Sequence, residues 1–220
     1  MTTIRAQRLL PTPIPLTSSR YLGFIRFNQH FWYWPSRWVE ALVMRGARRI
    51  ELLPSDLDKN YHYVIAANHQ SAADPFVICG ALPMSLWPNL GVFRYMANAS
   101  LFTRLWLRWP LLSFGSFPAR KEQTLPYGIE AARAYLGRGQ TVVMFPEGRR
   151  TLPRQSPARV GVAVLGVNPM VRIIPARIQW TSGLRRGFQV TIGRPMRPQP
   201  TADAVLAAIY DLELPQLAVK

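Results

Sequence analysis

Four short segments of this 220-residue chain hold side chains of the kinds that move protons or grip phosphate. The first reads Ala67-Asn68-His69-Gln70-Ser71-Ala72-Ala73-Asp74-Pro75 and lies between the apolar runs YHYVIA and FVICGAL. Asp followed by Pro is a helix-start signal, with Asp74 as N-cap and Pro75 at the first helical position. His69 then falls in the turn between a strand and that helix. On one continuous helix five residues overshoot a full circle by about 140°, so His69 and Asp74 would diverge. In a strand–turn–helix arrangement the loop can fold the imidazole back onto the carboxylate. A carboxylate on one ring nitrogen fixes the tautomer and supports the charge when the other nitrogen takes a proton, and imidazole exchanges protons near neutral pH. The plainer reading makes Asp74 a cap and His69 a polar turn residue, and this segment taken alone favours it.

The second segment is VVMFPEGRRT, Val142 to Thr151. An apolar strand ends at Phe145-Pro146, and Glu147, Gly148, Arg149 and Arg150 follow in a turn. Loops at strand ends are where α/β folds place ligands, and two arginines beside a glycine can grip a phosphate bidentately; a solvated charge cluster is the alternative. The third segment, FGSFPARKE, sets Arg120 and Lys121 directly after an apolar extended piece. In the fourth, IIPARI, Pro175 interrupts an apolar strand and is expected at an edge or bulge.

The elements that must position these residues alternate. YHYVIAA, GVFRYMA, SFGSFPA, QTVVMFP, VRIIPARIQW and FQVTIG read as strands. PFVICGAL, SLFTRLWLRW ending at Pro110, TLPYGIEAARAYLGRG with Thr124 as a candidate N-cap, PARVGVAVLGVN and the capped TADAVLAAIYDLE read as helices. This predicts a single α/β domain, a mixed sheet flanked by helices. Ahead of it, residues 21–50 are rich in aromatics. On a 3.6-residue wheel Arg26, Gln29, His30, Arg37 and Glu40 share one arc and the aromatics mostly the other, with Pro35 dividing two helices. Such rings suit the headgroup region of a bilayer, and Arg45, Arg48 and Arg49 follow. The expected organisation is a loose N-terminal arm over 1–20, amphipathic membrane-contact helices over 21–50 and the α/β domain over 51–220. A second aromatic and basic stretch, with Trp87, Trp106 and Trp109 beside Arg94, Arg104 and Arg108, suits either a lipid-facing wall or core packing with snorkelling arginines.

Composition points the same way. Lys plus Arg number 27 against 11 Asp plus Glu, a net charge of +16 carried almost wholly by arginine. Such a surface seeks polyanions: nucleic acid, an anionic membrane or phosphorylated ligands. Cys79, the single cysteine, excludes an internal disulfide and reads as a small buried hydrophobe. The first 19 residues lack a continuous apolar core and carry three prolines, unlike a signal peptide. The longest uncharged run, Pro75 to Phe93, is broken by Pro83, Pro88 and Gly91, which argues against a lipid-spanning helix. No Cys/His/carboxylate spacing suggests a metal, and no Walker or dinucleotide glycine loop is present.

Taken in order, the four segments resemble the PlsC-like glycerolipid acyltransferase family, the lysophosphatidate acyltransferase group. Its first motif is Asn-His, four residues, Asp; Asn68, His69 and Asp74 match. Its second ends in Arg after an acidic residue; Arg120 matches, while Ala119 stands where Asp is common. Its third is Phe-Pro-Glu-Gly-Thr-Arg; Phe145, Pro146, Glu147, Gly148 and Arg150 match, and Arg149 replaces Thr. Its fourth is matched by Ile173, Ile174, Pro175 and Ile178.

The resemblance implies transfer of a fatty acyl group from acyl-CoA or acyl carrier protein to the free hydroxyl of lysophosphatidic acid, giving phosphatidic acid at a membrane surface. The thioester is a co-substrate, and no further cofactor is implied. His69 is then the general base and Asp74 its support. Asn68, Arg120, Glu147, Gly148, Arg149 and Arg150 belong to acceptor binding, and backbone N–H groups near the helix start are candidate oxyanion donors. The expected setting is peripheral or monotopic on the cytoplasmic face of a membrane. The partners would be anionic lipid, the lyso-lipid and the thioester donor, and no nucleic acid is expected. Two alternatives remain: another lyso-lipid acceptor, or a non-enzymatic basic module on anionic membrane or nucleic acid.

Overall fold

In the computed structural model, which describes residues 18–43, 48–54, 56–119, 126–150, 157–181 and 187–212, the apolar runs line up as one seven-stranded mixed sheet. Its strands are β1 (Arg48–Glu51), β2 (His62–Ala67), β3 (Phe93–Asn98), β4 (Phe117–Ala119), β5 (Thr141–Met144), β6 (Val171–Thr181) and β7 (Gly187–Ile192). They lie in the order β1-β7-β6-β2-β5-β3-β4. Every neighbouring pair is parallel except β6 and β7.

The central strands read as continuous Val/Ile/Ala runs because both faces are covered. Alternate residues enter opposite cores. Ile65 packs in the cluster with Val77, Ile78, Leu82 and Trp87, contributed by α2 (Asp74–Ala81), α3 (Trp87–Leu90) and the segment between them. Val64 packs with Ile129, Val162 and Val205 from α5 (Pro126–Leu136), α6 (Gly161–Leu165) and α7 (Ala202–Tyr210). This is the expected α/β domain. Thr201 caps α7 as expected, its hydroxyl accepting from Ala204 N at 3.1 Å.

Several local expectations need correction. Residues 19–43 form one helix, α1 (Ser19–Val43), with Pro35 inside it. The missing N–H frees the carbonyl of Phe31, an exposed residue, where water can take its place. The buried stripe of α1 is Ile25, Gln29 and Tyr33, while Phe24, Phe27, Phe31, Trp34 and Trp38 face out. Gln29, assigned to the polar arc, is thus turned inward. Its amide donates to the carbonyls of Phe93 and Phe114, each at 2.9 Å, and accepts from Phe93 N at 3.2 Å. The helix is therefore pinned to the end of β3 by polar bonds and shows its aromatic side to the exterior.

Pro110 does not end its helix: α4 runs Leu105–Ser113 through it. Pro175 lies in a central strand and not at an edge, but at the place where the antiparallel pairing slips by one residue between Ala176–Ile192 and Ile173–Met196, which is the bulge alternative. It sits just before the residues of β6 that pair with β7, which begin at Ala176, so no ladder bond to β7 is lost. β1, unexpected as a strand, joins the sheet beside β7, and the 50/51 boundary falls inside it. Of the N-terminal arm, residues 1–17 lie outside the described residues, as do Thr124, Arg45 and Lys121; residues 19 and 20 already belong to α1.

Replacing Gln29 by Ala should strand the buried N–H and carbonyl of Phe93 and lower unfolding free energy by about 2–3 kcal/mol, measured by chemical denaturation. Unchanged stability would show that α1 is not held by these bonds.

Candidate active site

The site forms where β2 runs out. Its pairing with β6 ends at Ala67 opposite Ala176, and side chains then take over. Asn68, 1% exposed, donates from Nδ2 to Ile178 O at 2.8 Å and accepts from Ile178 N at 2.7 Å. Two residues on, Gln70 Oε1 accepts from Trp180 N at 3.2 Å. The chain is thereby stitched to β6 at alternate positions while its backbone turns toward α2.

That turn closes on Asp74. The residue is the first of α2 rather than its cap; Ala73 holds the cap position without a side-chain bond. The carboxylate instead reaches back. Oδ2 accepts from His69 Nδ1 at 2.8 Å, Gln70 N at 2.7 Å and Ser71 N at 2.8 Å, and Oδ1 accepts from Trp180 Nε1 at 2.8 Å. Asp74 is 0% exposed, and a buried carboxylate needs such partners. Because a carboxylate only accepts, it selects the His69 tautomer with hydrogen on Nδ1. The imidazole stacks on Phe145 with centroids 4.2 Å apart and planes 21° from parallel. Nε2, on the ring edge away from Asp74, is left for the cleft that His69 lines. His69 and Asp74 therefore meet through the turn, not along a helix.

Glu147 is 2% exposed and meets the main chain of His69. Its Oε2 accepts from His69 N at 3.0 Å and its Oε1 from the hydroxyl of Tyr210 at 2.7 Å. Asn68 and Glu147 were expected among the acceptor-binding residues. Both are buried, and their bonds go to the protein: Asn68 to the backbone of Ile178, Glu147 to the backbone of His69 and the hydroxyl of Tyr210. Gly148 adopts φ +63°, and a Cβ there would run into the side chain of Arg159. The glycine is thus needed for the backbone conformation and for the arginine crossing it.

Arg149, Arg150 and Arg159 line the same cleft as His69. The cleft has a volume of about 1350 Å³ and runs inward between apolar walls that include Met96, Leu107, Leu111, Phe114 and Met144. Cys79 and Tyr95 also line it. Burial pushes the Cys79 thiol up to about 11, against a smaller opposing pull from its hydrogen bond with Tyr95, so it stays a thiol and not a nucleophile. Ala119 lines the cleft, but Arg120 lies outside the described residues.

The N–H groups expected near the helix start as oxyanion donors are largely engaged: those of Gln70 and Ser71 bond Asp74, and those of Ala73 and Asp74 bond Ser71. Trp180, Tyr210 and Arg159 are the contributors that reading the sequence missed. Arg159 had a local signal, being a further arginine near Arg149 and Arg150. Trp180 and Tyr210 had none, because their contacts depend on strand register and on where α7 docks.

Glu147→Ala should remove the bonds accepted from the His69 N–H and the Tyr210 hydroxyl, costing about 2–4 kcal/mol of stability and most turnover. Glu147→Gln should be far milder, since the Tyr210 hydroxyl can reverse and accept from the new amide. Thermal denaturation and turnover of the two variants side by side test this; equal damage would contradict it.

Residues 49–179 match the protein family described as Acyltransferase. A 1-acyl-sn-glycerol-3-phosphate acyltransferase of Bacillus subtilis (strain 168) is 27% identical over 164 residues, covering 70% of this chain and 76% of that protein. The crystal structure of the 1-acyl-sn-glycerophosphate (LPA) acyltransferase PlsC from Thermotoga maritima aligns over 87% of this chain and 74% of its own, with a TM-score of 0.49 and 15% identity.

Proposed function

The chain belongs to the acyltransferase family, and from that premise we propose that it transfers a fatty acyl group from a thioester donor to the free hydroxyl of lysophosphatidic acid. The observation that carries this reading is one cleft holding a carboxylate-backed imidazole, three arginines and a long apolar wall. An acceptor with a phosphate monoester and a hydroxyl suits the polar end, and a hydrocarbon chain suits the wall. The B. subtilis relative bears the name of this activity.

His69 Nε2 takes the proton of the acceptor hydroxyl as its oxygen attacks the thioester carbonyl carbon. A C–O bond forms and a tetrahedral oxyanion develops. On collapse the C–S bond breaks, and the proton passes from Nε2 to the departing thiolate. Asp74 holds Nδ1–H throughout and supports the transient imidazolium. Arg149, Arg150 and Arg159 hold the phosphate and keep the hydroxyl within reach of Nε2. Both acyl-CoA and acyl carrier protein present the thioester this step requires.

The reaction is proposed to take place on the cytoplasmic surface of a membrane, whose negative potential suits a chain of net charge +16. Among the described residues no helix is long and apolar enough to cross a membrane. Support for surface attachment comes from the outward aromatics of α1, with Trp38 75% exposed, and from Trp106 and Trp109 of α4, 72% and 71% exposed. Arg104 and Arg108 lie on either side of Trp106 in the sequence, and Arg108 directly precedes Trp109.

His69→Ala should abolish acyl transfer while leaving the fold intact by circular dichroism; retained turnover would remove the base. Arg150→Ala should raise KM for lysophosphatidic acid by about tenfold, and equal use of an acceptor lacking phosphate by the unaltered enzyme would count against phosphate recognition. Exchanging Trp106 and Trp109 together for Ser should weaken binding to anionic vesicles by on the order of tenfold, read by co-sedimentation. High salt should release the unaltered chain only in part, because screening does not touch the buried rings.

A further inference from the structure

We propose that Trp180 is a positioning residue for acyl transfer, its indole N–H locking the Asp74 carboxylate so that Oδ2 stays on His69 Nδ1; this rests on the reading of His69 as the base. The two oxygens of Asp74 are held unequally. Oδ2 gathers three donors from the turn that contains His69, while Oδ1 has Trp180 Nε1 at 2.8 Å. Rotation about the Cβ–Cγ bond of an aspartate is intrinsically soft. With only Oδ2 held, the carboxylate can turn and offer either oxygen to Gln70 N and Ser71 N, drawing charge off the imidazole. A donor on the opposite oxygen, from a different element, removes that freedom.

Trp180 is built for this. Its backbone N–H donates to Gln70 Oε1 at 3.2 Å, so main chain and side chain grip the same turn. It pairs with Phe188 across the antiparallel β6–β7 ladder, and their rings pack with centroids 5.5 Å apart. The indole is thus fixed by the sheet, not by the loop it steadies. A phenyl ring would keep the contact with Phe188 in part and lose the donor, and an isostere of the indole with sulfur for N–H would lose the donor alone. Trp180 is not among the residues lining the cleft, so its effect belongs in kcat and not in substrate affinity.

The test uses the full-length protein with lysophosphatidic acid and acyl-CoA. Trp180→Phe should lower kcat by about tenfold with both KM values within about twofold of the unaltered enzyme, as expected when a charge-assisted bond to the supporting carboxylate is lost. Replacing Trp180 by its benzothiophene isostere, sulfur for N–H, should do the same and covers the case in which the Phe variant folds poorly. Because the chain has three histidines, ring-15N spectra resolve them; the His69 signals should move in both variants while those of His30 and His62 stay. Unchanged kcat, a loss carried by KM, or a fall in kcat with unmoved His69 signals would each overturn the proposal. His69→Ala run in parallel separates the two readings: if it retains turnover the base assignment fails, whereas an inactive His69→Ala with a fully active isostere removes only the role of Trp180.

Discussion

A carboxylate with no exposure to solvent organises this protein. Moving such a charge from water is costly unless donors replace the water, and Asp74 has four, supplied by His69, Gln70, Ser71 and Trp180. Three come from the turn after β2 and one from β6. The sheet must therefore set β6 beside β2 in one register, and the turn must curl back from α2, before the charge can be buried. The imidazole is oriented as a consequence of satisfying that carboxylate.

A second buried carboxylate ties the same turn to the rest of the fold. Glu147 joins the backbone of His69 to the hydroxyl of Tyr210, so the loop after β5 and the helix α7 share in fixing the position of His69. The glycine that follows lets Arg159 lie across the loop. Asp74 and Glu147 thus face inward as scaffolding, while Arg149, Arg150 and Arg159 line the cleft. The division has a physical basis: a carboxylate is readily satisfied by backbone N–H groups inside the fold, whereas a guanidinium presents a fork of donors that matches an anionic ligand.

The exterior has its own logic. A long amphipathic helix ordinarily buries its apolar side, yet α1 buries a narrow stripe centred on Gln29 and leaves its Phe and Trp side chains outward. Bonds from Gln29 to the ends of β3 and α4 do the anchoring. The outward aromatic rings pack on neighbours within α1, Phe27 on Phe31 and Trp34 against Tyr33, and stay largely exposed, and α4 adds Trp106 and Trp109 as further exposed rings. Trp32 and Tyr33 of α1 and Leu107 and Leu111 of α4 line the cleft, so the helices that carry the exposed aromatics also form its wall.

Read alone, the sequence was enough for the α/β class, most strands, the capped α7 and the four segments in order, because hydrophobic periodicity, Thr caps and motif spacing are local properties of the chain. It also placed His69 before a helix and so made a meeting with Asp74 possible. It set Gln29 on the polar arc of α1 without a partner, since a wheel sorts residues by polarity and cannot know that Gln29 meets backbone groups of Phe93 and Phe114. It grouped Asn68 and Glu147 with the ligand contacts, because a motif records which residues travel together and not which way they point. Trp180 and Tyr210 were invisible for the same reason: they lie 106 and 63 residues from their carboxylate partners. Only the register of β6 against β2 and the docking of α7 bring those donors within hydrogen-bond reach of the charges they satisfy.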